Sequence, residues 1–383
     1  MIDTIDATPQ YIVVFRAPSA SLFERGLAIR VNVPREPGDI VLTFQTRYLE
    51  RGLENPLPGN MWIDARGPSY NLEEAVSIFG NAVGTVIPII AFCTNAAIGD
   101  LELELAYNNT TGLEKREFLQ SFLPEERAII RGGRNVDVNS ITVLMQAIEV
   151  HSEKDRITRA IAQYRLALSH WKWGHETLAT AHLFMAVEAL TKAIVRSKFQ
   201  GCMSEDEVAA KVGIDPQKLH PRQRLSTEIE AVVRRTVLFK SDNDCHRSAK
   251  AASDGLEHGY MPFDKIREKA RSVRDKTARY LREAILDLVD LDQNDQRRML
   301  ESPYDQPLGN WPVVKYLCGH LIGESDILAS EGNEYPIMRW HQRITSVDRS
   351  DKGEYKVRFD ENFTAQLGEG IVFQPKSFEV WRP

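Results

Sequence analysis

The sequence is poor in cysteine, and it lacks the common nucleotide-binding signatures. Its four cysteines lie far apart, at positions 93, 202, 245 and 318, and no two of them form a CxxC pair. This spacing disfavours a disulfide framework and a zinc site, and it predicts free thiols in a reducing cytoplasm. The chain also lacks a Walker loop and a GxGxxG fingerprint. We therefore expect neither a metal nor a bound cofactor.

The sequence also lacks a typical secretory start and a long uninterrupted apolar run. Its first residues, MIDTIDATPQ, have neither the basic start nor the apolar core of a signal peptide. The most apolar stretch, AVGTVIPIIAFCTNAAIG, is interrupted by Pro88 and Asn95, which favours a buried core segment over a membrane span. These features predict a cytoplasmic protein that does not enter a membrane.

Length and charge bound the organisation of the chain. A chain of 383 residues suits two or three domains, and a net charge of −6 argues against a protein that coats nucleic acid over its whole surface. The charge is unevenly distributed, however. Residues 151–300 hold 27 lysines and arginines against 22 acids, whereas the rest of the chain holds 21 against 32. A local basic site inside an acidic protein is therefore possible.

Residues 1–150 have the pattern of a mixed, β-rich domain. Short apolar or alternating runs such as YIVVFRAP, DIVLTFQTR and DLELELAYNN are punctuated by proline and predict strands. NLEEAVSIFG begins with helical periodicity, and NSITVLMQAIEV is typical of a second helix. The basic turn RGGRN, at residues 131–135, lacks the strand and helix context of a phosphate loop. We expect helices packed on a sheet.

Residues 151–298 are predicted to form a helical bundle. Apolar residues recur at helical spacing over roughly 153–171, 176–198 and 262–292, and Ser204 with Glu207 has the pattern of a capping box. The last of these helices is strongly basic. Its cations occupy every face except the apolar stripe: Lys265, Arg267, Lys269, Arg271, Arg274, Lys276, Arg279 and Arg282. Such a helix is usually a solvated face, and the alternative is contact with a phosphate backbone.

Residues 299–383 change character again. A proline-rich linker, ESPYDQPLGNWP, precedes three alternating segments that predict strands, and RSDKG is a hairpin turn between the first two. The fold prediction is thus α+β. A central all-α bundle is flanked by an N-terminal mixed β/α domain and a small C-terminal β-rich unit.

The helical region resembles the HEPN superfamily of helical nucleotide- and RNA-binding domains. The resemblance rests on RAIAQYRLALSHWKWGHETLATAHLFMAVEALTKAI, on SDGLEHGY at residues 253–260, and on the long helix after it, which together cover about residues 153–290. In the family, SDGLEHGY would open the last helix. The whole chain is also similar to bacterial proteins labelled as accessory factors of methylamine utilisation, a label that implies no mechanism.

The resemblance implies a site built on His258. HEPN nucleases cleave RNA without a metal, using an arginine, a polar residue and a histidine that moves the proton. Here His258 takes the histidine place and Asp254 the polar place, and Glu257 is a candidate to orient His258. Ser253 stands where the arginine belongs, and a serine brings no charge to the phosphate. The alternative is a structural or ligand-binding histidine.

Other cations could replace the missing arginine. The candidates for nucleic-acid contact are Arg247, Lys250, Arg267, Arg271 and Arg274. The family also implies a homodimer through the bundle and a role in stress or phage defence. The functional hypothesis is therefore an RNA- or nucleotide-binding protein that acts as an endoribonuclease, and the alternative is a non-catalytic scaffold or ligand-binding protein. His175, His182 and His246 are interpreted as structural residues.

Overall fold

The chain divides into two compact units. The structure is a computed structural model, and it describes residues 8–49, 57–111, 115–120, 133–220, 223–310, 315–326, 328, 337–349 and 355–380. The first unit comprises residues 1–47, 60–125 and 133–310, and the second comprises residues 48–59, 126–132 and 311–383. Helices and antiparallel strands are both present, which confirms the α+β class. The first seven residues of the chain and residues 131–132 of the RGGRN turn lie outside the described residues.

The first unit contains a six-stranded sheet in the order β3-β4-β5-β1-β6-β7. Its strands, together with the short pair β2 and β8, are β1 (Gln10–Ala17), β2 (Ser21–Leu22), β3 (Ile29–Val33), β4 (Ile40–Leu49), β5 (Leu57–Pro68), β6 (Glu102–Asn108), β7 (Phe118–Gln120) and β8 (Arg134–Asn135). The central strand β1 pairs antiparallel with β5 and β6. Its side chains are buried on both faces, as its continuous apolar run predicts.

Two helices accompany this sheet. The helices α1 (Leu72–Thr94) and α2 (Val138–Glu149) occupy the segments that the periodicity predicts. Asn71 caps the start of α1 by accepting a hydrogen bond from the backbone N–H of Glu74 at 2.8 Å. Asn95 ends α1 in the left-handed conformation, with φ of 47°. The interrupted apolar run is therefore the buried second half of α1.

The remaining helices of the first unit follow in chain order. They are α3 (Lys154–Ser169), α4 (Glu176–Lys198), α5 (Glu205–Lys211), α6 (Leu225–Val233), α7 (Asn243–His258), α8 (Phe263–Leu288) and α9 (Gln293–Leu300). The predicted long helices correspond to α3, α4 and α8, and Ser204 caps α5 as expected. The last helix ends at Leu288, short of the predicted 292, and α9 follows it. The helix α7 ends at His258, so SDGLEHGY does not open the last helix.

The boundary that the sequence predicts near residue 150 falls inside the first unit. It lies between α2 and α3, and buried residues of both helices, Leu144 and Ile161 among them, belong to one hydrophobic core. That core also contains Phe15 of β1, Phe79 of α1 and Leu183 of α4. Sheet and bundle thus share their buried surface, which a division of the sequence by pattern does not show.

Arg282 of α8 is buried, which corrects its assignment to the solvated faces of the basic helix. It is 2% exposed, and its guanidinium donates to the backbone carbonyls of Phe92 at 3.2 Å, Met299 at 2.5 Å and Tyr304 at 2.8 Å. The α8 helix is covered on more than one side here, because α1 and α9 both reach it. A positive charge is also favourable at the carboxyl end of α1, where the carbonyls are unpaired.

A second arginine binds the same end of α1. Arg134 donates to the carbonyls of Thr94 at 3.2 Å and Asn95 at 2.9 Å. Burial, together with the nearby charge of Arg282, lowers the pKa of Arg134 to about 10. The Asn95 side chain accepts a hydrogen bond from the hydroxyl of Tyr164 at 2.6 Å. Segments from β8, α1, α3 and α8 therefore meet in one buried polar network.

The second unit contains four described strands. The strand β10 (Ile337–Arg349) pairs antiparallel with β11 (Tyr355–Gln366), and β9 (Lys315–Ile322) pairs antiparallel with β12 (Val372–Val380). The pairing of the two predicted hairpin strands is confirmed, although most of the RSDKG turn lies outside the described residues. The strand β9 was not predicted, because the sequence analysis assigned no element between the linker and β10.

Two helices of the first unit are long and apolar enough to cross a membrane by length and composition. They are α1 and α4, and 61% of the most apolar window of each is buried inside the structure. The core helix of a soluble protein passes the same test.

Candidate functional site

The segment SDGLEHGY forms the last turns of α7 and the turn that follows it. Asp242 caps the start of α7, accepting a hydrogen bond from the backbone N–H of Cys245 at 3.0 Å. Gly259 ends the helix in the left-handed conformation, with φ of 64°, and Pro262 precedes α8. Glycine just past a helix and proline soon after it are both helix stop signals. His258 is therefore the last helical residue of α7.

Ser253, which the sequence resemblance places where HEPN nucleases carry an arginine, points into the protein. It is 1% exposed, and its hydroxyl donates to the carboxylate of Glu257 at 2.9 Å, one helical turn on. The position is thus part of the packed face of α7, together with Ala249 and Ala252. An arginine here could not reach a phosphate in solvent without leaving the helix packing.

The other predicted site residues of α7 form a row on its solvent face, which we call the α7 row. It consists of Arg247, Lys250, Asp254 and His258, spaced by three or four residues, so all four side chains share one side of the helix. Lys250 forms an ion pair with Asp254. Arg247 pairs with Asp244 at 2.5 Å. Within the described part of the chain, the exposed His258 has no hydrogen bond or ion pair of its own.

The predicted cations of α8 form a second surface, which we call the α8 stripe. It consists of Phe263, Arg267, Arg271 and Arg274, spaced by four, four and three residues. The guanidinium of Arg267 lies over the Phe263 ring, 5.6 Å from its centroid, and that of Arg274 lies 4.2 Å from the ring centroid of Trp171. The stripe therefore starts at the α7–α8 turn and ends at the connection between α3 and α4.

The structure does not bring all the predicted site residues together. The α7 row neutralises its own charges within the helix, whereas Arg271 donates to the buried carboxylate of Glu176 at 3.1 Å. Contacts of α8 with α7 involve Thr277, whose hydroxyl lies 3.7 Å from the Cys245 sulfur. Arg274 and Thr277 are about 60° apart around the helix, so the stripe borders the side of α8 that packs against α7. In the part of the chain that the structure describes, the α7 row and the α8 stripe share no hydrogen bond, ion pair or ring contact, and we treat them as two surfaces.

Exposed aromatic side chains lie at the turn between α7 and α8. Tyr260 is 59% exposed and Phe263 is 54% exposed. The Tyr260 hydroxyl donates to the carbonyl of Ala251 at 3.5 Å, which holds the ring against the end of α7. Large apolar rings are normally buried, so two exposed rings beside a histidine and an arginine mark this turn as a surface for contact.

A histidine cluster, formed by His170, His175 and His182, lies at the connection between α3 and α4. The Nδ1 atoms of His170 and His175 are 3.4 Å apart, and the His170 and His182 rings are stacked with centroids 5.5 Å apart. His182 also contacts the Gln163 side-chain oxygen at 2.8 Å through Nδ1. The sequence analysis missed this cluster. The signal was available, because His170 and His175 flank the Gly174 break between two paired helices.

The surroundings of the histidine cluster disfavour protonation of its three imidazoles. Burial lowers the pKa of all three imidazoles below the ordinary value of 6.5, and the effect on His170 is increased by His175 and Lys172. The charge of His170 has the same effect on His182. Within the described residues, no group of three or more histidines, cysteines or acids has a metal-binding arrangement. The three imidazoles thus form a neutral stacked group at pH 7.

Stability is expected to fall on acidification because of this cluster. Since the folded-state pKa values lie below 6.5, the unfolded chain binds more protons, and the free energy of unfolding decreases as pH falls from about 6.5 through the folded-state values. Urea denaturation at pH 7.5 and pH 5.5 measures the loss. The triple variant H170Q/H175Q/H182Q should lose less stability between these two pH values, and an equal loss would contradict the prediction. His246, whose pKa is also lowered by burial, leaves a residual dependence.

Comparisons of the chain with known families and proteins do not indicate a function for these surfaces. No family model, no curated protein and no solved structure matches the chain.

Proposed function

We propose that the protein is a HEPN-like protein that binds RNA through the α7–α8 turn and holds it without cleavage. The observation that carries the proposal is the exposure of Tyr260 and Phe263 beside His258 and Arg267. Exposed aromatic rings next to cations are what single-stranded nucleic acids use, because each base stacks on a ring while the backbone phosphate meets a positive charge. Free nucleotides present the same two groups and would bind more weakly.

The buried Ser253 supports binding without cleavage. Cleavage by 2′-hydroxyl attack needs a proton carrier and a cation that stabilises the charge on the phosphate. His258 can carry the proton, but the motif position for the cation is a serine inside the helix packing, hydrogen-bonded to Glu257. Lys250 is the nearest cation of the α7 row, and it is paired with Asp254.

The alternative is a metal-independent endoribonuclease. It would require a cation from a second copy of the chain beside His258. A homodimer that pairs the exposed α7 rows of two copies would place Arg247 of one copy near His258 of the other. This alternative shares the RNA ligand with the proposal and differs only in turnover.

RNA binding is expected to depend on the two exposed rings. Because stacking contributes about 1–3 kcal/mol per base, Tyr260→Ala and Phe263→Ala should each weaken the affinity for oligouridylate roughly 5- to 150-fold. Fluorescence anisotropy with labelled RNA at fixed salt measures the change. Tyr70→Ala is the matched control, since Tyr70 is equally exposed, at 66%, and lies before α1. Equal affinities of the wild type and both turn variants would refute the proposal.

The same RNA incubated with the protein in EDTA should remain intact. Cutting that disappears in His258→Ala, with an unchanged circular dichroism spectrum, would replace the binding-only proposal by the endoribonuclease. Cutting that persists in His258→Ala would indicate a contaminating nuclease, and the proposal would stand on the binding data.

A further inference from the structure

We infer that a strand bound at the α7–α8 turn continues along the α8 stripe to a second stacking platform at Trp173. This inference rests on the proposed function and extends it, because it specifies the ligand as a single-stranded polynucleotide rather than a mononucleotide. It also assigns a role to a part of the bundle that the family motif does not include.

The α8 stripe gives the strand a continuous path. Phe263 and Arg274 are eleven residues apart, so the stripe is about 16 Å long at 1.5 Å per residue. Arg267 and Arg271 lie between them on the same side of the helix. A row of arginines at one-turn spacing, with an aromatic ring at its start, matches a charged backbone that runs along the helix.

Arg271, in the middle of the stripe, keeps hydrogen-bond donors for a phosphate. A guanidinium has five N–H donors, and the contact of Arg271 with Glu176 uses one nitrogen while 55% of its side chain stays exposed. Arg267 stacks on Phe263, and among the described residues its buried Nε has no hydrogen-bond partner. These contacts hold the guanidinium planes in place, which reduces the entropy lost when a phosphate binds.

Two acids contact the stripe and hold its arginines in place. Glu176 is buried, and its carboxylate faces Arg271, so it fixes the position of that arginine and presents little charge to solvent. Asp275 accepts a hydrogen bond from Nε of Arg274 at 3.1 Å, and the same guanidinium lies over Trp171. Both carboxylates therefore orient cations of the stripe.

Trp173 lies where the stripe ends. Arg274 contacts Trp171, and Trp173 follows two residues later in the same connection between α3 and α4. Trp171 is 9% exposed, whereas Trp173 is 60% exposed. Gly174, with φ of 83°, turns the chain directly after it. An indole ring left in solvent beside the arginines is a surface on which a base can stack, and the cations favour a polyanion over an apolar protein partner.

The test compares short and long RNA. A labelled uridine dinucleotide, too short to cover the stripe, and an oligouridylate of about twelve nucleotides are titrated against the full chain by fluorescence anisotropy. We expect Trp173→Ala to weaken binding of the long RNA roughly 5- to 150-fold and to leave the short RNA unchanged, since only the long strand reaches Trp173. Arg271→Gln should lower the salt dependence of long-RNA binding, and Arg279→Gln, an exposed arginine of α8 outside the stripe, should not.

The outcomes separate the inference from the proposed function. In one outcome the wild type binds both RNAs, Tyr260→Ala and Phe263→Ala weaken binding of both, and Trp173→Ala weakens binding of neither. The path to Trp173 is then wrong, and the proposed function stands. If the wild type binds neither RNA, both are wrong. In another outcome a DNA oligonucleotide binds as tightly as the RNA and loses the same affinity in Trp173→Ala. This result supports the path to Trp173 and shows that the protein does not recognise the 2′-hydroxyl.

Discussion

Arg282→Met is expected to lower the free energy of unfolding of the first unit by about 3 kcal/mol or more, because three buried backbone carbonyls lose their hydrogen-bond donor. Arg282 is 2% exposed and donates to three backbone carbonyls from α1, α9 and the segment after α9. Methionine fills part of the volume but donates no hydrogen bond. Three buried carbonyls then lose their partner, and each such loss costs about 1–3 kcal/mol.

The measurement is urea denaturation followed by circular dichroism at 222 nm. Every helix that the structure describes belongs to the first unit, so this signal reports that unit. Arg279→Gln is the matched control, because Arg279 lies one turn earlier on α8 with 72% of its side chain exposed, and its partner Glu283 keeps the ion pair with Lys240 when Arg279 is replaced. The control should change stability by less than about 1 kcal/mol. An equally small change in Arg282→Met would show that the carbonyls are satisfied in another way.

The comparison of Arg282 with Arg279 shows what sequence periodicity can predict. The apolar residues of α8, Ile266 and Leu281 among them, recur at helical spacing and correctly place one buried stripe. Periodicity cannot show that α1 and α9 cover a further side of the helix near its end. A charged residue there is assigned to solvent, because the sequence does not display the unpaired carbonyls that compensate it.

The end of α7 shows a different limit of prediction. The packed face of α7 is built from Cys245, Ala249 and Ala252, residues too small to give a strong apolar pattern. Gly255 lies against Ile266, and a Cβ at Gly255 would be 3.1 Å from the Ile266 Cγ1. The small residues allow α7 and α8 to approach closely. Without a visible pattern, SDGLEHGY was joined to the following helix, whereas Gly259 and Pro262 contain the stop signal.

The candidate site was predicted in composition more than in arrangement. The four residues of the α7 row and the three arginines of the α8 stripe were predicted as site candidates from the sequence, whereas Phe263 was not. The sequence does not show that these two surfaces lack contact with each other, because this depends on which side of α8 packs against α7. The exposed Trp173 was not predicted as a contact surface, because its place near Arg274 of α8 depends on the tertiary fold. The histidine cluster, in contrast, could have been predicted from His170 and His175 on either side of Gly174.

Placing an arginine at position 253, as in the HEPN motif that the sequence resembles, is expected to destabilise the protein rather than activate it. In Ser253→Arg, a guanidinium would have to enter the packed face of α7 at a position that is 1% exposed. It would replace a small hydroxyl that is already satisfied by Glu257. Burying a charge with at most one carboxylate partner, and overfilling the packing, should lower the free energy of unfolding by about 3 kcal/mol or more.

Lys250→Arg supplies the matched comparison for Ser253→Arg. It adds an arginine to the same helix at a position that is 48% exposed and keeps the pairing with Asp254. Stability in urea should be unchanged, so any loss in Ser253→Arg is due to the buried position and not to arginine itself. Neither variant should cut RNA in EDTA. The opposite result would be a stable Ser253→Arg protein that cuts RNA and loses this activity when His258 is also replaced. That result would mean that α7 can rotate to expose residue 253 to solvent. An arginine at position 253 would then be the one group that the site lacks for cleavage, and the serine there would explain binding without cleavage.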